Sequence, residues 1–190
     1  ENLYKKILKT NPNHANTCNN LGLVFFALGQ PQKAISFYEK TIQINPNHTD
    51  AHYNLGVAFQ QLGKLQKAIN CYQMAIQINA NYIKAYNNLG TIFEDLGDYQ
   101  KAKSYFQKIL EMQPNYMDTY YNLGNVFKKL GEYQKAISCY EKAIQINPNY
   151  AGAHNNLGVI FHELWKLQKA ISCYEKAIQI DPTYTTACEN

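Results

Sequence analysis

The sequence repeats itself with a period of 34 residues, and no other feature constrains the fold as strongly. A Leu-Gly pair returns at this spacing without an insertion, at Leu21-Gly22, Leu55-Gly56, Leu89-Gly90, Leu123-Gly124 and Leu157-Gly158. A fixed period of about 20–50 residues is typical of stacked repeats, in which each unit contacts only its neighbours. The period therefore predicts an array of small units rather than one closed core.

Each repeat reads as a helix, a glycine turn, a second helix and, in four of the five complete repeats, a stop that contains proline. In the first complete repeat, Leu21, Phe25 and Leu28 lie at helical spacing, which predicts an amphipathic first helix, helix A. Gly29 follows that helix at a position that commonly adopts a left-handed backbone. Pro31 suits the first turn of the second helix, helix B, where no N–H is needed.

The period divides the chain into five complete repeats, with a partial repeat at either end. The complete repeats are residues 15–48, 49–82, 83–116, 117–150 and 151–184, and the partial ones are residues 1–14 and 185–190. We expect one array over the whole chain. Because natural arrays carry polar capping units at their ends, we also expect this sequence to be a piece of a longer protein.

Composition argues against two classes of partner. The apolar fraction of 46% is ordinary for a globular protein, and no stretch approaches the length of a membrane span, so no membrane association is predicted. All 18 basic residues are lysine, within a net charge of +4. Without arginine, bidentate recognition of phosphate or guanine is not possible, so no nucleic-acid partner is predicted.

The five cysteines occupy only two positions of the repeat. Cys18 and Cys188 share a position in helix A, and Cys71, Cys139 and Cys173 share one in helix B. Since no CxxC or paired Cys/His spacing is present, neither a disulfide framework nor a metal site is predicted. We expect small, buried, apolar residues with free thiols, which favours a reducing, cytoplasmic compartment.

Motifs of catalysis are missing from the sequence. It contains no HExxH metalloprotease motif, no nucleophile elbow and no phosphate-binding glycine loop. The histidines lie at repeat positions and have no partner at metal-ligand spacing. The sequence therefore predicts no enzymatic activity, no cofactor and no metal.

Three further positions complete the repeat pattern. An aromatic residue follows each Gly by three positions, at Phe25, Phe59, Phe93, Phe127 and Phe161. An alanine of helix B then precedes a second aromatic residue by four positions, in the pairs Ala34/Tyr38, Ala68/Tyr72, Ala102/Phe106, Ala136/Tyr140 and Ala170/Tyr174. With this pattern the chain resembles the tetratricopeptide repeat family over nearly its whole length. The resemblance implies an all-α, right-handed superhelical array, an α-solenoid, that binds other proteins.

Two residues depart from the repeat pattern, and a pair of small residues predicts how the two helices of a repeat pack together. Ala80 replaces the proline of the stop, and Trp165 replaces the turn glycine. A non-glycine residue in the left-handed region costs roughly 1 kcal/mol, so we expect Trp165 to be right-handed and its helix A to end differently. We also expect Gly22 to lie closest to Ala34, because two small residues allow the two helices of a repeat to approach.

The candidate site consists of polar positions on helix A, which lines the concave inner face in this family. The sixth place of every repeat is asparagine, at Asn20, Asn54, Asn88, Asn122 and Asn156. The fifth place alternates between asparagine and tyrosine, at Asn19, Tyr53, Asn87, Tyr121 and Asn155, and the ninth place of the fourth repeat is Asn125. An asparagine amide carries donors and an acceptor, so it can pair with any peptide group regardless of sequence.

This column of amides predicts a ladder for an extended polypeptide. An extended chain advances about 3.3 Å per residue, while packed helices lie about 8–10 Å apart, so each asparagine would serve two or three peptide residues. The column is similar to the asparagine ladder in the tetratricopeptide region of O-linked N-acetylglucosaminyltransferases. The alternative is that duplicated repeats share asparagine without sharing a function. Charged pairs on the same face, Glu94-Asp95 and Lys128-Lys129, are expected to pair with each other.

Three functions remain open on the sequence alone. The first is a protein-interaction module that binds an extended polypeptide or peptide in the concave groove. The second is the substrate-recognition region of a glycosyltransferase whose catalytic domain lies outside this sequence. The third is an assembly scaffold that self-associates through its ends or its outer face.

Overall fold

The computed structural model describes residues 14–183, and these residues form ten α-helices and no strand. The helices are α1 (Ala15–Ala27), α2 (Pro31–Ile44), α3 (Thr49–Gln61), α4 (Leu65–Ile78), α5 (Ile83–Asp95), α6 (Tyr99–Met112), α7 (Met117–Lys129), α8 (Tyr133–Ile146), α9 (Ala151–Glu163) and α10 (Leu167–Ile180). Odd-numbered helices are helix A of each repeat, and even-numbered helices are helix B. The predicted all-α fold of helix–turn–helix repeats is confirmed. Of the predicted partial repeats, only His14 lies within the described residues.

The chain divides between Leu89 and Gly90, inside α5, into two compact units. In the first unit α1 packs on α2 and α3 on α4, while α3 also packs on α2 and touches α1. In the second unit α7 packs on α8 and α9 on α10, α6 packs on α7, and α9 packs on α8 and touches α7. Within each unit, a helix therefore packs against its own hairpin and against the next one, as in other repeat arrays. None of the described helices combines the length and the apolar character that crossing a bilayer requires.

The turn between helix A and helix B is closed by the same pair of backbone bonds in every repeat. In the first repeat the Gly29 N–H donates to the Phe26 carbonyl at 3.0 Å, and the Gln30 N–H donates to the Phe25 carbonyl at 2.9 Å. These bonds form a Schellman motif, which needs a left-handed residue after the helix. Gly29 supplies it with φ 71°, so the prediction for this glycine is confirmed.

Trp165 keeps this turn unchanged, and the expectation that it would be right-handed is wrong. Its φ is 57°, and α9 has 13 residues, as the other A helices do. The Trp165 N–H donates to the His162 carbonyl at 2.9 Å, and the Lys166 N–H donates to the Phe161 carbonyl at 2.8 Å. The two capping bonds hold the backbone against the steric cost of a β-carbon in the left-handed region.

We expect Trp165→Gly to raise the free energy of unfolding by up to about 1 kcal/mol. A left-handed backbone costs tryptophan about 1–2 kcal/mol, and the change to glycine removes this cost. Glycine also makes the unfolded chain more flexible, which offsets about 0.4–1 kcal/mol of the gain. No packing is lost, because the indole is 84% exposed. Urea unfolding followed by circular dichroism measures the change. Trp165→Ala, which removes the ring but keeps the β-carbon, should gain less, and an equal gain in both variants would contradict the explanation by strain.

The glycine of each Leu-Gly pair packs against an aromatic ring of helix B, not against alanine. A β-carbon on Gly22 would overlap the Tyr38 ring, so the prediction that Ala34 is the closest neighbour is wrong. Ala34 is fully buried nevertheless. The same Gly–ring contact recurs in the other repeats, with Tyr72, Phe106, Tyr140 and Tyr174 as the rings. The core of each hairpin is therefore a large ring that fills the space left by a glycine.

A lysine in the first turn of helix B lies over the phenylalanine of helix A in all five repeats. The ammonium-to-ring distances are between 5.0 and 5.5 Å, in the pairs Lys33/Phe25, Lys67/Phe59, Lys101/Phe93, Lys135/Phe127 and Lys169/Phe161. Cation–π contacts of this length are attractive. They add a further link between the two helices of each hairpin, beside the turn.

Helix B ends in a turn that does not depend on proline. In the first repeat the Asn45 side chain accepts from the Asn47 N–H at 3.1 Å, as in an Asx turn. Asn79 accepts from the Asn81 N–H at 3.0 Å although Ala80 replaces the proline between them. The departure at Ala80 therefore leaves this turn intact.

Candidate functional site

The sixth-place asparagines link consecutive repeats. All five side chains are half-buried. In three of them the amide nitrogen donates to the fifth-place side chain of the preceding repeat: Asn54 Nδ2 to Asn19 Oδ1 at 3.0 Å, Asn88 Nδ2 to the Tyr53 hydroxyl at 3.5 Å, and Asn156 Nδ2 to the Tyr121 hydroxyl at 3.2 Å. We call this bond the amide clip. It fixes one helix A against the next and orients the asparagine side chain.

Two of these amides use both of their hydrogens. Asn88 Nδ2 also donates to the Tyr72 hydroxyl at 3.0 Å, and Asn156 Nδ2 also donates to Asn125 Oδ1 at 2.9 Å. A side-chain amide has two N–H hydrogens and one carbonyl oxygen, so only the oxygen is left for another molecule. From the sequence, each sixth-place asparagine was expected both to donate a hydrogen bond to a ligand and to accept one. At Asn88 and Asn156 only the accepting oxygen is left for a ligand.

The tyrosine hydroxyls beside these amides belong to small hydrogen-bond networks, in which each hydroxyl has a partner. The Tyr72 hydroxyl donates to Gln60 Oε1 at 2.7 Å while it accepts from Asn88. The Tyr140 hydroxyl donates at 2.8 Å to Asn125 Oδ1, which also accepts from Asn156. Burial raises the pKa of Tyr72 and Tyr140, so both hydroxyls stay neutral at physiological pH.

The fifth place forms aromatic clusters in alternate repeats. The Tyr53 ring centroid lies 5.6 Å from that of Tyr72 and 5.4 Å from that of Tyr82. The equivalent Tyr121 ring lies 5.9 Å from Tyr140 and 4.9 Å from Tyr150. Where asparagine replaces the tyrosine, at Asn19 and Asn155, the side chain is buried, whereas Asn87 is half-buried.

The fourth-place side chain of three repeats bonds to the proline carbonyl at the end of the preceding repeat. His52 Nε2 lies 2.9 Å from the Pro46 carbonyl, and His154 Nε2 lies 3.0 Å from the Pro148 carbonyl. The Tyr120 hydroxyl donates to the equivalent Pro114 carbonyl at 2.9 Å. A histidine nitrogen and a tyrosine hydroxyl thus perform the same role, and these histidines are structural.

His14 and His48, each at the last place before a helix A, cap that helix with their side chains, a role that sequence reasoning missed. His48 Nδ1 accepts from the Ala51 N–H at 3.2 Å and so caps α3, while its Nε2 lies 3.0 Å from Asn16 Oδ1. At the same place one repeat later, the Tyr82 hydroxyl donates to Asp50 Oδ1 at 2.6 Å. The sequence carried a signal at this place, because His14 and His48 each directly precede a predicted helix A. Single-residue propensities do not identify histidine as a helix cap.

The charged side chains of α5 and α7 shift each other's pKa values, but burial shifts these pKa values more. Burial and the adjacent Asp95 raise the pKa of Glu94, and Lys129 and Lys128 oppose this rise. Burial lowers the pKa of Lys128. The close ion pairs that the structure shows are in helix B or at its start, as in Lys101–Asp98 at 2.8 Å. This part of the face is therefore close to neutral overall and only partly hydrated.

The cysteines of the described residues carry free thiols. Cys18 is buried, and Cys71, Cys139 and Cys173 are half-buried, whereas Cys188 lies outside the described residues. Burial raises the pKa of Cys71 and Cys139 to about 11, which keeps both thiols protonated and unreactive. Residues 14–183 contain no group of three His, Cys, Asp or Glu side chains that could hold a metal ion.

Family models match most of the repeats. A model described as tetratricopeptide repeat matches residues 20–81 and 49–115, and two others with the same description match residues 105–138 and 151–184. A further model, described as TPR repeat, matches residues 124–164. No curated protein is significantly similar in sequence.

Solved structures resemble the chain closely in fold. YrrB, described as a TPR protein with an unusual peptide-binding site, has a TM-score of 0.82 at 22% identity, over 98% of this chain and 96% of that one. MamA has a TM-score of 0.80 at 26% identity, over 86% and 96%. MamA from Desulfovibrio magneticus RS-1 has a TM-score of 0.82 at 19% identity, over 90% and 96%.

Proposed function

The chain belongs to the tetratricopeptide repeat family, and from this premise we propose that it binds an extended polypeptide along the A helices of its repeats. The observation that carries the proposal is the amide clip, which holds sixth-place asparagines by their nitrogens and leaves their oxygens as acceptors. The peptide-binding site of YrrB, a protein of the same fold, supports a polypeptide as the ligand.

The carbonyl oxygens are the groups that meet the ligand in this proposal. The oxygen and the nitrogen of an amide diverge from one planar carbon, so anchoring the nitrogen turns the oxygen away from the preceding repeat. A peptide N–H supplies the donor that such an oxygen accepts. Because the side chain is already held, binding costs little side-chain entropy, which favours affinity.

The other site residues divide by role. Asn20, Asn54 and Asn88 form the row of acceptors in the first compact unit, and Asn122 and Asn156 form that of the second. The fifth-place residues Asn19, Tyr53, Asn87, Tyr121 and Asn155, together with Asn125, are assigned to holding these amides and shaping the surface beside them. Recognition through main-chain N–H groups predicts tolerance of many ligand sequences, with one contact for about every three ligand residues.

Backbone methylation of the ligand tests this mechanism. The probe is the tightest binder from a random peptide library, resynthesised with one N-methyl group at each position in turn. Each lost N–H···O bond should weaken binding by about 0.5–1.5 kcal/mol, and the losses should recur at about every third residue. Isothermal calorimetry measures the series. Even tolerance of methylation, or a library without any binder, would refute the ladder.

Asn88→Ala tests the protein side of the same contact. The change removes the accepting oxygen, so we expect affinity for the library peptide to fall by about 0.5–1.5 kcal/mol. Tyr53→Phe is the matched control, because it deletes the longer of the two bonds to Asn88 while Tyr72 still holds the amide. That variant should bind almost normally. Equal weakening by both variants would mean that the asparagine acts only on the fold.

Two narrower expectations remain predictions. Substrate presentation to a glycosyltransferase domain would use the same acceptors, and a transferase assay on the full-length protein tests it. Self-association through the ends or the outer face, which light scattering at several concentrations tests, is the scaffold alternative. The proposed protein-binding role also includes a cytoplasmic location and no catalytic activity of the repeats themselves.

A further inference from the structure

Two opposite charges are half-buried in the second compact unit without a direct partner. Glu94 in α5 and Lys128 in α7 hold the same, twelfth place of their repeats, and both side chains are half-buried. Burial is the main cause of their pKa shifts, which go up for Glu94 and down for Lys128. Among residues 14–183 neither side chain has a hydrogen bond or a close ion pair. Each charge therefore bears a cost of burial that no direct contact offsets.

The second repeat shows how the protein can bond a side chain at the twelfth place from within. There Gln60 Oε1 accepts from the Tyr72 hydroxyl at 2.7 Å. In the third repeat the ring at the place of Tyr72 is Phe106, which has no hydroxyl to offer to Glu94. A carboxylate only accepts hydrogen bonds, so the missing partner of Glu94 is a donor.

Lys128 presents the opposite requirement. Its ammonium group only donates hydrogen bonds, so its missing partner is an acceptor. The opposite charge that acts on it most strongly is Glu163, which is exposed. A hydrogen bond to Glu163 raises the pKa of the Tyr133 hydroxyl, so that carboxylate already has a partner of its own. An acceptor from outside the chain would suit the Lys128 ammonium better.

We propose that Glu94 and Lys128 make the second compact unit selective for a polypeptide with a basic and an acidic residue about three positions apart. This inference rests on the proposed function, in which the ligand lies along the A helices. A lysine or arginine of the ligand donates to Glu94, and a carboxylate of the ligand accepts from Lys128. The spacing follows because packed helices lie about 8–10 Å apart and an extended chain advances about 3.3 Å per residue.

The first compact unit does not share this selectivity. Its twelfth places hold Phe26 and Gln60, which carry no charge. The main-chain contacts of the asparagine ladder are expected in both units, whereas the charge preference belongs to the second one. The two contributions can therefore be measured separately.

A charge scan along a neutral peptide tests the selectivity. The probe is the tightest binder from a peptide library without charged residues, with both ends blocked. It is resynthesised with one lysine and one glutamate about three positions apart, moved along the peptide in both orders. One placement in one order should bind several-fold more tightly than the neutral parent in isothermal calorimetry. The gain should shrink as salt is added, and two lysines or two glutamates at the same positions should gain less.

Exchanging the two charges of the protein tests the assignment of residues. Glu94→Lys combined with Lys128→Glu keeps the net charge and should reverse the preferred order of lysine and glutamate in the peptide. The matched control exchanges their exposed neighbours, Asp95→Lys with Lys129→Asp, and should leave the preferred order unchanged. Glu94→Gln is a milder variant, because the second repeat has glutamine at this place. It should abolish the gain from the peptide's lysine and keep the gain from its glutamate.

The outcomes separate this inference from the proposed function. A neutral peptide that binds, but gains nothing from any placement of lysine and glutamate, would refute the selectivity and leave the asparagine ladder intact. A library without any neutral binder would overturn the ladder and this inference with it. An unchanged order preference after the exchange of Glu94 and Lys128, in a variant whose circular dichroism is retained, would remove these two residues from recognition.

Discussion

Replacing Gly56 with alanine is expected to lower the free energy of unfolding by about 1–3 kcal/mol, because the hairpin has no space for a β-carbon. An added β-carbon would lie 2.7 Å from Cε1 and 2.8 Å from Cδ1 of Tyr72. The Tyr72 ring is fully buried, and its hydroxyl is held by Gln60 and Asn88, so it cannot move aside without breaking those bonds. Urea unfolding followed by circular dichroism measures the loss.

A double-mutant cycle identifies the cause of this loss. Tyr72→Leu removes the ring, so Gly56→Ala should cost less in that background, with a coupling energy of about 0.5–3 kcal/mol. The control is Gly63→Ala in the same repeat. Gly63 has φ 68° and no atom within 4 Å of an added β-carbon, so its cost of about 1–2 kcal/mol arises from backbone strain and should not depend on Tyr72. Equal coupling for both glycines would contradict the packing explanation.

Phe106→Ala should have the largest effect of all, a loss of about 3–5 kcal/mol. Phe106 is fully buried and fills the space beside Gly90, where an added β-carbon would lie 2.5 Å from its ring. Among the helix B rings that pack against the glycine of each repeat, only Phe106 has no hydroxyl. Its truncation therefore measures lost packing without a lost hydrogen bond. Because repeats stabilise their neighbours, we expect the fourth repeat to lose stability as well, which amide hydrogen exchange detects.

Leu96→Ala serves as the control for Phe106→Ala. Leu96 is an exposed apolar residue in the same repeat, at the end of helix A. Its truncation should change the free energy of unfolding by no more than about 0.5 kcal/mol. A small loss for Phe106→Ala as well would mean that the ring is not a required part of the hairpin core.

The sequence predicted the regular part of the fold well, because the same constraint is written five times. A periodic pattern of Leu, Gly, Ala and aromatic residues defines both helices and their turn, so helix A begins at the first residue of its predicted repeat throughout. Gly29 was predicted correctly for the same reason. The Schellman bonds require a left-handed residue, and a glycine at a helix end is the usual signal for one.

The errors concern contacts that depend on tertiary geometry. The pairing of Gly22 with Ala34 followed from size alone, whereas the ring of Tyr38 reaches across the helix interface and takes that space. Trp165 was expected to avoid a strained backbone, but the two bonds that close the turn outweigh its local preference. Intrinsic preferences decide a conformation only where tertiary contacts do not.

The candidate site was identified by position, but the use of its groups could not be inferred from the sequence. A column of asparagines is visible in the repeat register, and the donor–acceptor capacity of an amide is general chemistry. The distances between helices decide which of these donors and acceptors are already bonded to a neighbouring repeat. Only the coordinates show that Asn88 and Asn156 already spend both hydrogens inside the protein.

The clip also bears on how such a chain can change its length in evolution. In a clip, the later repeat contributes the amide and the earlier repeat contributes the acceptor, which can be an asparagine or a tyrosine hydroxyl. A whole repeat gained by in-frame duplication brings one of each, so every new junction is satisfied as soon as it forms. Loss of a whole repeat likewise leaves no orphaned group. Gain or loss of whole 34-residue repeats is therefore tolerated chemically, whereas an insertion or deletion of another size changes the spacing of the clip that spans it.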